Sequence, residues 1–594
     1  MSNEGIITVV VGGALPPKMV LRLTDAVPAG ALLRLRGNSF TAAMSVKVVA
    51  VRADGASLEI VHRMTMEEMV ADWDFFTETF SAAIVKIDKA LSAGALLELD
   101  IPEMRSSHTA GVTWAVSAGV TDAIKSRSFA PVTAEAGFQF IASSAATIKA
   151  LRKPDGAVFV EQFDCHDNPA ISDGSEITLV GGDGGTTAKP QAALAATRVE
   201  LPAAARGLRV TVTDAAGRTA TSNPTPLAAD GTPIWFGEFH WHCHVSCDAQ
   251  RNLADALTSA RDELCLDFAG PADHMAMTGK YYTPLTTRYQ TDVLRRFNEP
   301  GRFCPIVGAE LGCRGGHGNI YCDSIEMFLE LTDRFESELW PRYKGPHFFY
   351  DLHHLASLCT PGKTIIVPHH TNRNTGGMSG PDGRPLWNAM HFPIPPERRA
   401  VRLFEIVQGS GCYESEVLDE QWKIACGGLG GSARTALMRG YRFGFTGGTD
   451  NHDGWPSVGH GACNGLTAVQ SRTLDSASIF RALYERRCYA TSGARIAADV
   501  TCNGYPMGSE IRLAASDTPV FDINIHGTAP IAAVQIVHCG FVLADLPVEM
   551  DCLDFKAQWA DDRRGRPLEE AWYFVRARQT DGQCVWCSPF WIDL

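Results

Sequence analysis

The chain has 594 residues, of which 45% are hydrophobic and 20% are charged, and its formal net charge at pH 7 is −14. This apolar content excludes an intrinsically disordered protein, and the acidic charge disfavours a general nucleic-acid-binding protein, whose surface is usually basic. No run of about 18 apolar residues occurs and the N-terminus lacks the pattern of a secretory leader, so we expect no membrane span and a cytoplasmic protein.

The first part of the chain, residues 1–230, is predicted to be rich in β-strands and to form one domain or two subdomains. Short apolar runs at residues 6–11 and 46–51 are broken by Gly, Pro and Asp, which favours strands joined by turns. One amphipathic helix is predicted near residues 64–79, and the alternating run at residues 207–214 predicts a strand that enters a turn.

From residue 231 onwards, predicted strands alternate with predicted helices. The predicted strands are residues 235–239, 266–270, 305–311, 364–367, 403–407 and 443–446. The predicted helices are residues 249–263, 349–358, 433–440 and 477–487. Repeated strand–helix order predicts parallel β/α packing, so we expect a β/α domain over residues 231–495. Short strands return at residues 521–525, 533–537 and 571–578, which predicts a C-terminal β domain over residues 496–594.

Histidine and cysteine are concentrated in the middle of the chain. Residues 231–490 hold 13 of the 18 histidines and 11 of the 17 cysteines. An odd number of cysteines without a secretory leader favours reduced thiols over a disulfide framework. The histidines therefore draw attention to the predicted β/α domain.

Five polar motifs follow successive predicted strands. His240 and His242 share one face of a strand, because alternate residues of a strand point the same way. The other motifs are Asp273-His274, Glu310 with His317, His369-His370, and Asp450-Asn451-His452. In β/α barrels the ends of the strands meet at one face and build the active site. Imidazoles and carboxylates gathered in this way predict a metal site.

The order of these motifs resembles the PHP (polymerase and histidinol phosphatase) superfamily, and in particular its large uncharacterised branch with flanking β domains. The resemblance covers roughly residues 135–594. It implies an α/β fold: a distorted (β/α)7 PHP-type barrel flanked by N-terminal and C-terminal β-sandwich-like domains. It also implies two or three divalent metal ions, of zinc, manganese or iron.

The resemblance further implies how the ligands are divided among the metal ions. One ion would be held by His240, His242, Glu310 and Asp450. Glu310 would bridge to a second ion, which His317 and His369 also bind. A third ion would take Asp248, His274 and His452.

The expected reaction is hydrolysis, in which a metal-bridging hydroxide attacks a carbonyl carbon or a phosphorus atom. Neutral imidazoles do not compensate the positive charge of the metal ions, so the carboxylates supply the balancing negative charge. Three residues are candidates to protonate the leaving group, namely Asp273, His370 and His244. Each of them could instead orient a ligand imidazole.

The substrate class stays open between two chemistries. Arg314 and Arg373 lie close to the motifs and would suit a phosphate, whereas Trp241 and Tyr281 favour a neutral ester, amide or carbamate. The leading hypothesis is a metal-dependent hydrolase of a neutral small molecule, and the alternative is a PHP-type phosphoesterase. A further alternative is a non-catalytic binding protein with a degenerate barrel. We expect neither nucleic acid nor a membrane as a partner, and homo-oligomerisation stays open.

Two other motifs are interpreted as structural. His353 and His354 follow Asp351 in a predicted helix, where adjacent positions diverge by about 100°, which argues against joint metal ligation. Cys584 and Cys587 have zinc-like spacing but no second pair, so they are expected to pack within a strand.

Overall fold

The structure is a computed structural model. It describes residues 6–10, 15, 18–37, 50–53, 56–64, 80–100, 113–124, 129–166, 168–170, 174–189, 196–202, 207–246, 249, 251–277, 280–281, 284–313, 316–339, 351–371, 392, 400–416, 431–457, 463–514, 517–563 and 571–593. These residues form forty-one β-strands and six α-helices. The described part of the chain is therefore mostly β-structure.

The first eleven strands make two sheets. They are β1 Ile6–Val10, β2 Lys18–Arg22, β3 Leu32–Gly37, β4 Ala50–Ala53, β5 Ala56–Ser57, β6 Glu59–Arg63, β7 Phe80–Lys86, β8 Leu96–Asp100, β9 Thr113–Thr121, β10 Ala130–Pro131 and β11 Ala136–Ile141. One sheet has the order β1-β11-β9-β3-β7-β6, with β10 on β9, and the other has the order β2-β8-β4-β5. Leu97 and Leu99, alternate residues of β8, are buried in the core. The helix predicted near residues 64–79 lies almost wholly outside the described residues.

The next seven strands form two smaller sheets with a core of their own. They are β12 Thr147–Arg152, β13 Val158–Phe163, β14 Ile177–Gly181, β15 Gly184–Ala188, β16 Ala196–Val199, β17 Thr211–Thr213 and β18 Thr219–Thr221. Their orders are β12-β13-β16 and β15-β14-β17-β18. Ile148, Val158, Ile177 and Val212 pack together between them.

The middle of the chain contains all six of the described α-helices. Its strands are β19 Ile234–Trp241, β20 Phe268–Pro271, β21 His274–Met277, β22 Lys280–Tyr281, β23 Cys304–Pro305, β24 Val307–Cys313, β25 Gly316–Cys322, β26 Thr364–His369, β27 Leu403–Gln408, β28 Gly411–Cys412, β29 Gly444–Gly447, β30 Leu466–Gln470 and β31 Cys488–Thr491. Its helices are α1 Leu253–Thr258, α2 Pro284–Phe297, α3 Ile325–Arg334, α4 Leu352–Leu358, α5 Ala433–Met438 and α6 Ser476–Tyr484. Ser324 and Asp475 cap the N-termini of α3 and α6 through their side chains.

The predicted (β/α)7 barrel is wrong. Such a barrel needs a helix after each parallel strand, whereas the described residues are mostly β-structure with six α-helices. β24, β25 and β26 pair in an antiparallel manner, and so do β19 and β30. Gly316–Cys322 is absent from the predicted strands, yet it forms β25 and pairs directly with β24. The chain therefore reverses its direction between β24 and β25, where strand–helix alternation predicted the next strand to be parallel.

The last strands extend a sheet that begins in the middle of the chain. They are β32 Ala497–Cys502, β33 Tyr505–Pro506, β34 Glu510–Arg512, β35 Val520–His526, β36 Ile531–His538, β37 Phe541–Leu546, β38 Asp554–Ala560, β39 Ala571–Gln579, β40 Cys584–Cys587 and β41 Phe590–Asp593. The longest sheet has the order β23-β20-β19-β30-β31-β40-β39-β36-β37, with β34 and β41 attached. Backbone hydrogen bonds thus join strands on both sides of residue 496.

Several strands of the middle region end close together, which positions the histidines. β19 pairs in parallel with β20, β21 with β24, and β27 with β29. Cys584 and Cys587 lie buried in β40, and the cysteines on which the structure reports are free thiols. Within the described residues, no helix combines the length and the apolar character that a membrane crossing requires.

Candidate metal centre

The histidine pair of β19 lies inside the protein with its rings on one side of the strand. His240 is 1% exposed and His242 is 0% exposed, and their ring centroids are 5.8 Å apart. Trp241 stands between them in sequence and is fully buried in the apolar core. Strand alternation explains this arrangement, because the middle residue points to the opposite face.

Two carboxylates converge on this histidine pair. The Nε2 atom of His240 lies 3.4 Å from both Glu310 Oε2 and Asp450 Oδ1. The Nε2 atom of His242 lies 3.1 Å from Glu310 Oε2 and 3.2 Å from Asp450 Oδ1. Ligand atoms of all four residues are within 4.8 Å of one another. One divalent cation could bind at this point of convergence.

Three further groups of potential ligands each share a residue with the first group or with one another. They are His274 with Glu310 and His317; His317 with His369 and His370; and His242 with His274 and His452. Glu310 divides its oxygens between groups: Oε2 faces the β19 pair, whereas Oε1 is 3.4 Å from His369 Nε2 and contacts His317 Nδ1. The His242 and His452 rings stack with centroids 4.1 Å apart. The arrangement could hold more than one metal ion.

Several buried polar atoms of the centre lack a hydrogen-bond partner. They include His240 Nε2, Glu310 Oε2 and both ring nitrogens of His369. A buried polar atom without a partner costs about 1–3 kcal/mol, so such atoms rarely cluster unless something binds between them. A cation would satisfy the imidazole and carboxylate lone pairs together, and the donor types are those of zinc, manganese and iron sites.

The ionisation of Glu310, Asp450 and His369 matches ligand chemistry, whereas at His240 burial is outweighed by Glu405 and Asp450, which raise the pKa of that ring well above its usual value. Burial raises the pKa of Glu310, but the neighbouring histidines outweigh burial and lower that pKa well below its usual value. The pKa of Asp450 is lowered well below its usual value in the same way, against burial, chiefly by His370 and His240. Burial, together with His240, lowers the pKa of His369 and keeps its ring neutral. Ionised carboxylates beside a neutral imidazole can donate lone pairs to a metal.

A carboxylate that was absent from the predicted site orients His240. Glu405 on β27 accepts from His240 Nδ1, with its two oxygens 2.9 Å and 2.8 Å away. This contact leaves Nε2 to face Glu310 and Asp450, as in carboxylate–histidine–metal triads. In the sequence, Glu405 stands out only as the single acidic residue of the apolar strand Leu403–Gln408. A buried carboxylate needs a partner, so such a residue indicates a polar contact inside the protein.

We expect Glu405→Gln to weaken metal affinity by about 10–100-fold, because outer partners of ligand histidines contribute that much. Chelator competition on the folded protein measures this affinity. Glu238→Gln is a matched control, since Glu238 is equally buried but accepts from the backbone N–H of His240 at 2.7 Å instead of from its ring. Equal losses in both variants would contradict a specific role for Glu405.

The three predicted proton donors occupy different places. Asp273 accepts from the backbone N–H groups of Cys243 and Ser246 at 2.8 Å and 3.1 Å, and so holds the turn after β19. His244 accepts from the N–H of Leu253 at 3.3 Å. Of the three, only His370 belongs to a ligand group, and its Nε2 lies 2.5 Å from Asp450 Oδ2. Proton transfer by any of the three stays a prediction.

Other predicted residues fall outside the centre or outside the described chain. Asp248, Arg314 and Arg373 are not among the described residues, and for Tyr281 only the backbone is described, within β22. The surface residues Asp351, His353 and His354 bring ligand atoms within 4.8 Å of one another, contrary to the divergence expected from helix geometry. His354 Nδ1 accepts from the Asp351 N–H, so its ring folds back along the first turn of α4.

Comparison with known proteins leaves the family open, since no protein family model matches the chain. An uncharacterised protein of Chlamydia trachomatis is 30% identical over 376 residues, which cover 58% of this chain and 55% of that protein. An uncharacterised protein of Chlamydia pneumoniae is 31% identical over 396 residues, which cover 63% of this chain and 60% of that protein. The chain thus spans little more than half the length of these relatives.

One solved structure resembles part of the chain. It is a two-domain protein of Bacteroides vulgatus that contains a predicted PHP-like metal-dependent phosphoesterase. It is 14% identical, the match covers 62% of this chain and 97% of that one, and the TM-score is 0.28. A likeness this low supports no statement about the fold or the activity of the present protein. What the protein can do is therefore inferred from the geometry of its own residues.

Proposed function

We propose that the four ligand groups form a centre of two or three divalent cations, of zinc, manganese or iron, that hydrolyses a small molecule. The supporting observation is the set of buried lone-pair atoms without partners that face one another: His240 Nε2, His369 Nε2 and Glu310 Oε2. Glu310 would bridge two cations, because its two oxygens face different histidines. Asp450 would complete the site on β19.

Cations held by these residues would polarise the scissile group and lower the pKa of a water molecule towards 7. The protein's own part is to hold the ligands and to move a proton. Tyr413 Oη at 3.2 Å and Gln408 Nε2 at 3.1 Å fix the Nδ1 side of the His370 ring. His370 Nε2 therefore stays directed at Asp450, and we assign His370 the proton that the leaving group takes.

The proposed substrate is a neutral ester, amide or carbamate. The overall negative charge of the chain supports a neutral molecule over an anion. Trp241 takes no part in this argument, because its ring is fully buried in the apolar core. Arg434, which lies near the motifs in sequence, is already paired with Glu414 and is not free to bind an anion.

The test combines metal analysis with a substrate panel. We expect two or three divalent ions per chain, hydrolysis of an aryl ester, amide or carbamate, and loss of that activity on chelation with recovery on reloading. Hydrolysis of phosphomonoesters or phosphodiesters alone would reject the neutral substrate and retain the metal-dependent hydrolase. A folded protein that retains no metal and cleaves no compound would reject the enzyme and favour a binding function.

A further inference from the structure

A cavity rich in arginine lies apart from the metal centre. Its volume is about 460 Å³, within the range of small-molecule sites. Arg472, Arg481 and Arg487 line it, in a protein whose net charge is −14. Strand β30 forms part of its wall, and residue Gln470 of β30 pairs with Ile234 at the start of β19. His240 lies six residues further along β19, which places it about 20 Å away.

The two carboxylates of this cavity are already engaged. Asp499 accepts from the N–H of Ala229 at 2.8 Å and from Gln470 Nε2 at 3.1 Å, one bond to each oxygen. Asp230 accepts from the backbone N–H and the hydroxyl of Thr232 at 2.8 Å and 2.9 Å. These hydrogen bonds occupy carboxylate oxygens that could otherwise accept from the arginine side chains.

The arginines retain donors without acceptors. Arg472 has a single weak pairing, 3.5 Å from Asp230, with its side chain 80% exposed. Arg487 pairs with Glu485 through Nη2 at 2.7 Å, but its Nε is buried and has no hydrogen-bond partner. The side chain of Arg481, on the exposed side of α6, makes no hydrogen bond or ion pair with any described residue. A guanidinium has five donors in a planar fork that matches an oxyanion, so the cavity has more donors than acceptors.

We propose that this cavity binds a small molecule carrying an oxyanion, either a phosphate or a carboxylate group. Arg481 on α6 and Arg487 just after α6 donate hydrogen bonds to the oxyanion, and Arg472 lies at the edge of the cavity. Charge-assisted bonds from guanidinium to phosphate or carboxylate are the strongest hydrogen bonds available to an exposed cavity. The body of the ligand lies between the wall of β30 and the hairpin of β32 and β33, where Thr501 and Pro506 line the cavity.

The test is calorimetric titration of the metal-loaded full chain with inorganic phosphate and, separately, with succinate, at constant ionic strength set by sodium chloride. We expect saturable binding of at least one anion. Phosphate binding alone would assign a phosphorylated ligand, and succinate binding alone a carboxylated one. The variant Arg481→Gln should weaken binding by about tenfold or more, and Arg481→Lys less, because lysine keeps the charge but loses the fork.

A matched control is Arg512→Gln, which removes an exposed arginine of β34 outside the cavity and should change affinity by less than about twofold. Arg487→Gln is the second cavity variant, and circular dichroism checks its fold. Because Arg481 is exposed, its replacement leaves the core intact and carries the test if Arg487→Gln unfolds. The proposal is overturned if neither anion shows saturable binding. It is also overturned if Arg481→Gln leaves the binding unchanged, because that result would place the anion at the metal centre or elsewhere outside the cavity.

Discussion

Replacing His240 by alanine is expected to reduce hydrolase activity by more than about 100-fold, since loss of even an outer partner of a metal ligand costs about 10–100-fold. The variant removes a ring nitrogen that lies 3.4 Å from both Glu310 and Asp450. It also leaves Glu405 buried without the imidazole that it contacts. We expect the bound metal to fall by about one ion per chain, because the remaining ligands of that group no longer enclose the cation.

The measurements are metal content by mass spectrometry and initial rates on the compound found in the substrate panel. His240→Asn is a second variant that keeps a polar side chain beside Glu405 and guards against misfolding. His526→Ala is the control, since His526 lies on β35, contacts Asp554 of β38 and is outside the ligand groups. Full activity and unchanged metal content in a folded His240→Ala protein would refute the proposed centre.

The candidate site could be predicted from sequence because local rules determine most of its geometry. The alternation of side chains along a strand puts His240 and His242 on one face, and the later motifs were placed by their positions near the ends of predicted strands. Every predicted ligand among the described residues belongs to the convergent groups, and Asp248 lies outside those residues. Whether these residues bind metal stays a prediction that the experiments above decide.

Glu405 could not be predicted in its role, because no spacing rule connects it with His240. The two residues are 165 positions apart and meet only through the packing of β27 near β19. Trp241 shows the opposite error: its position beside two candidate ligands suggested contact with substrate, yet the same alternation turns its ring into the core. Sequence position alone does not say which face of a strand is the functional one.

The predicted barrel is wrong for a physical reason. Strand–helix alternation predicts parallel packing only when each connection crosses over the sheet. β24 and β25 instead pair in an antiparallel manner, with Cys313 opposite Gly316, so the chain reverses its direction without a crossover. Predicted strands and helices can therefore lie in roughly the right places while the sheet order differs from that of a barrel.

The second large effect is expected from Glu414→Gln, which should lower the free energy of unfolding by about 3–5 kcal/mol, the typical cost of breaking a buried ion pair. Glu414 is fully buried and accepts from Arg576 at 2.8 Å and 2.7 Å, from Arg434 at 3.1 Å and from the indole N–H of Trp586 at 2.8 Å. The substitution leaves the buried guanidinium of Arg576 without its charged partner. Urea denaturation measures the change, and Glu98→Gln, in an exposed pair with Lys18, should have no measurable effect.

The same carboxylate predicts a pH dependence of stability. Burial raises the pKa of Glu414, but Arg576 and Arg434 outweigh burial and lower it below its usual 4.5. A lowered pKa means that this contribution is fully present above about pH 4.5 and is lost as the pH falls through the folded-state pKa. The Glu414→Gln variant has no carboxyl to protonate at this position, so its stability should fall less than that of the wild type between about pH 5 and pH 3. If both proteins lost the same stability over this pH range, the charge of Glu414 would not be what attaches the loop after β28 to strands β39 and β40.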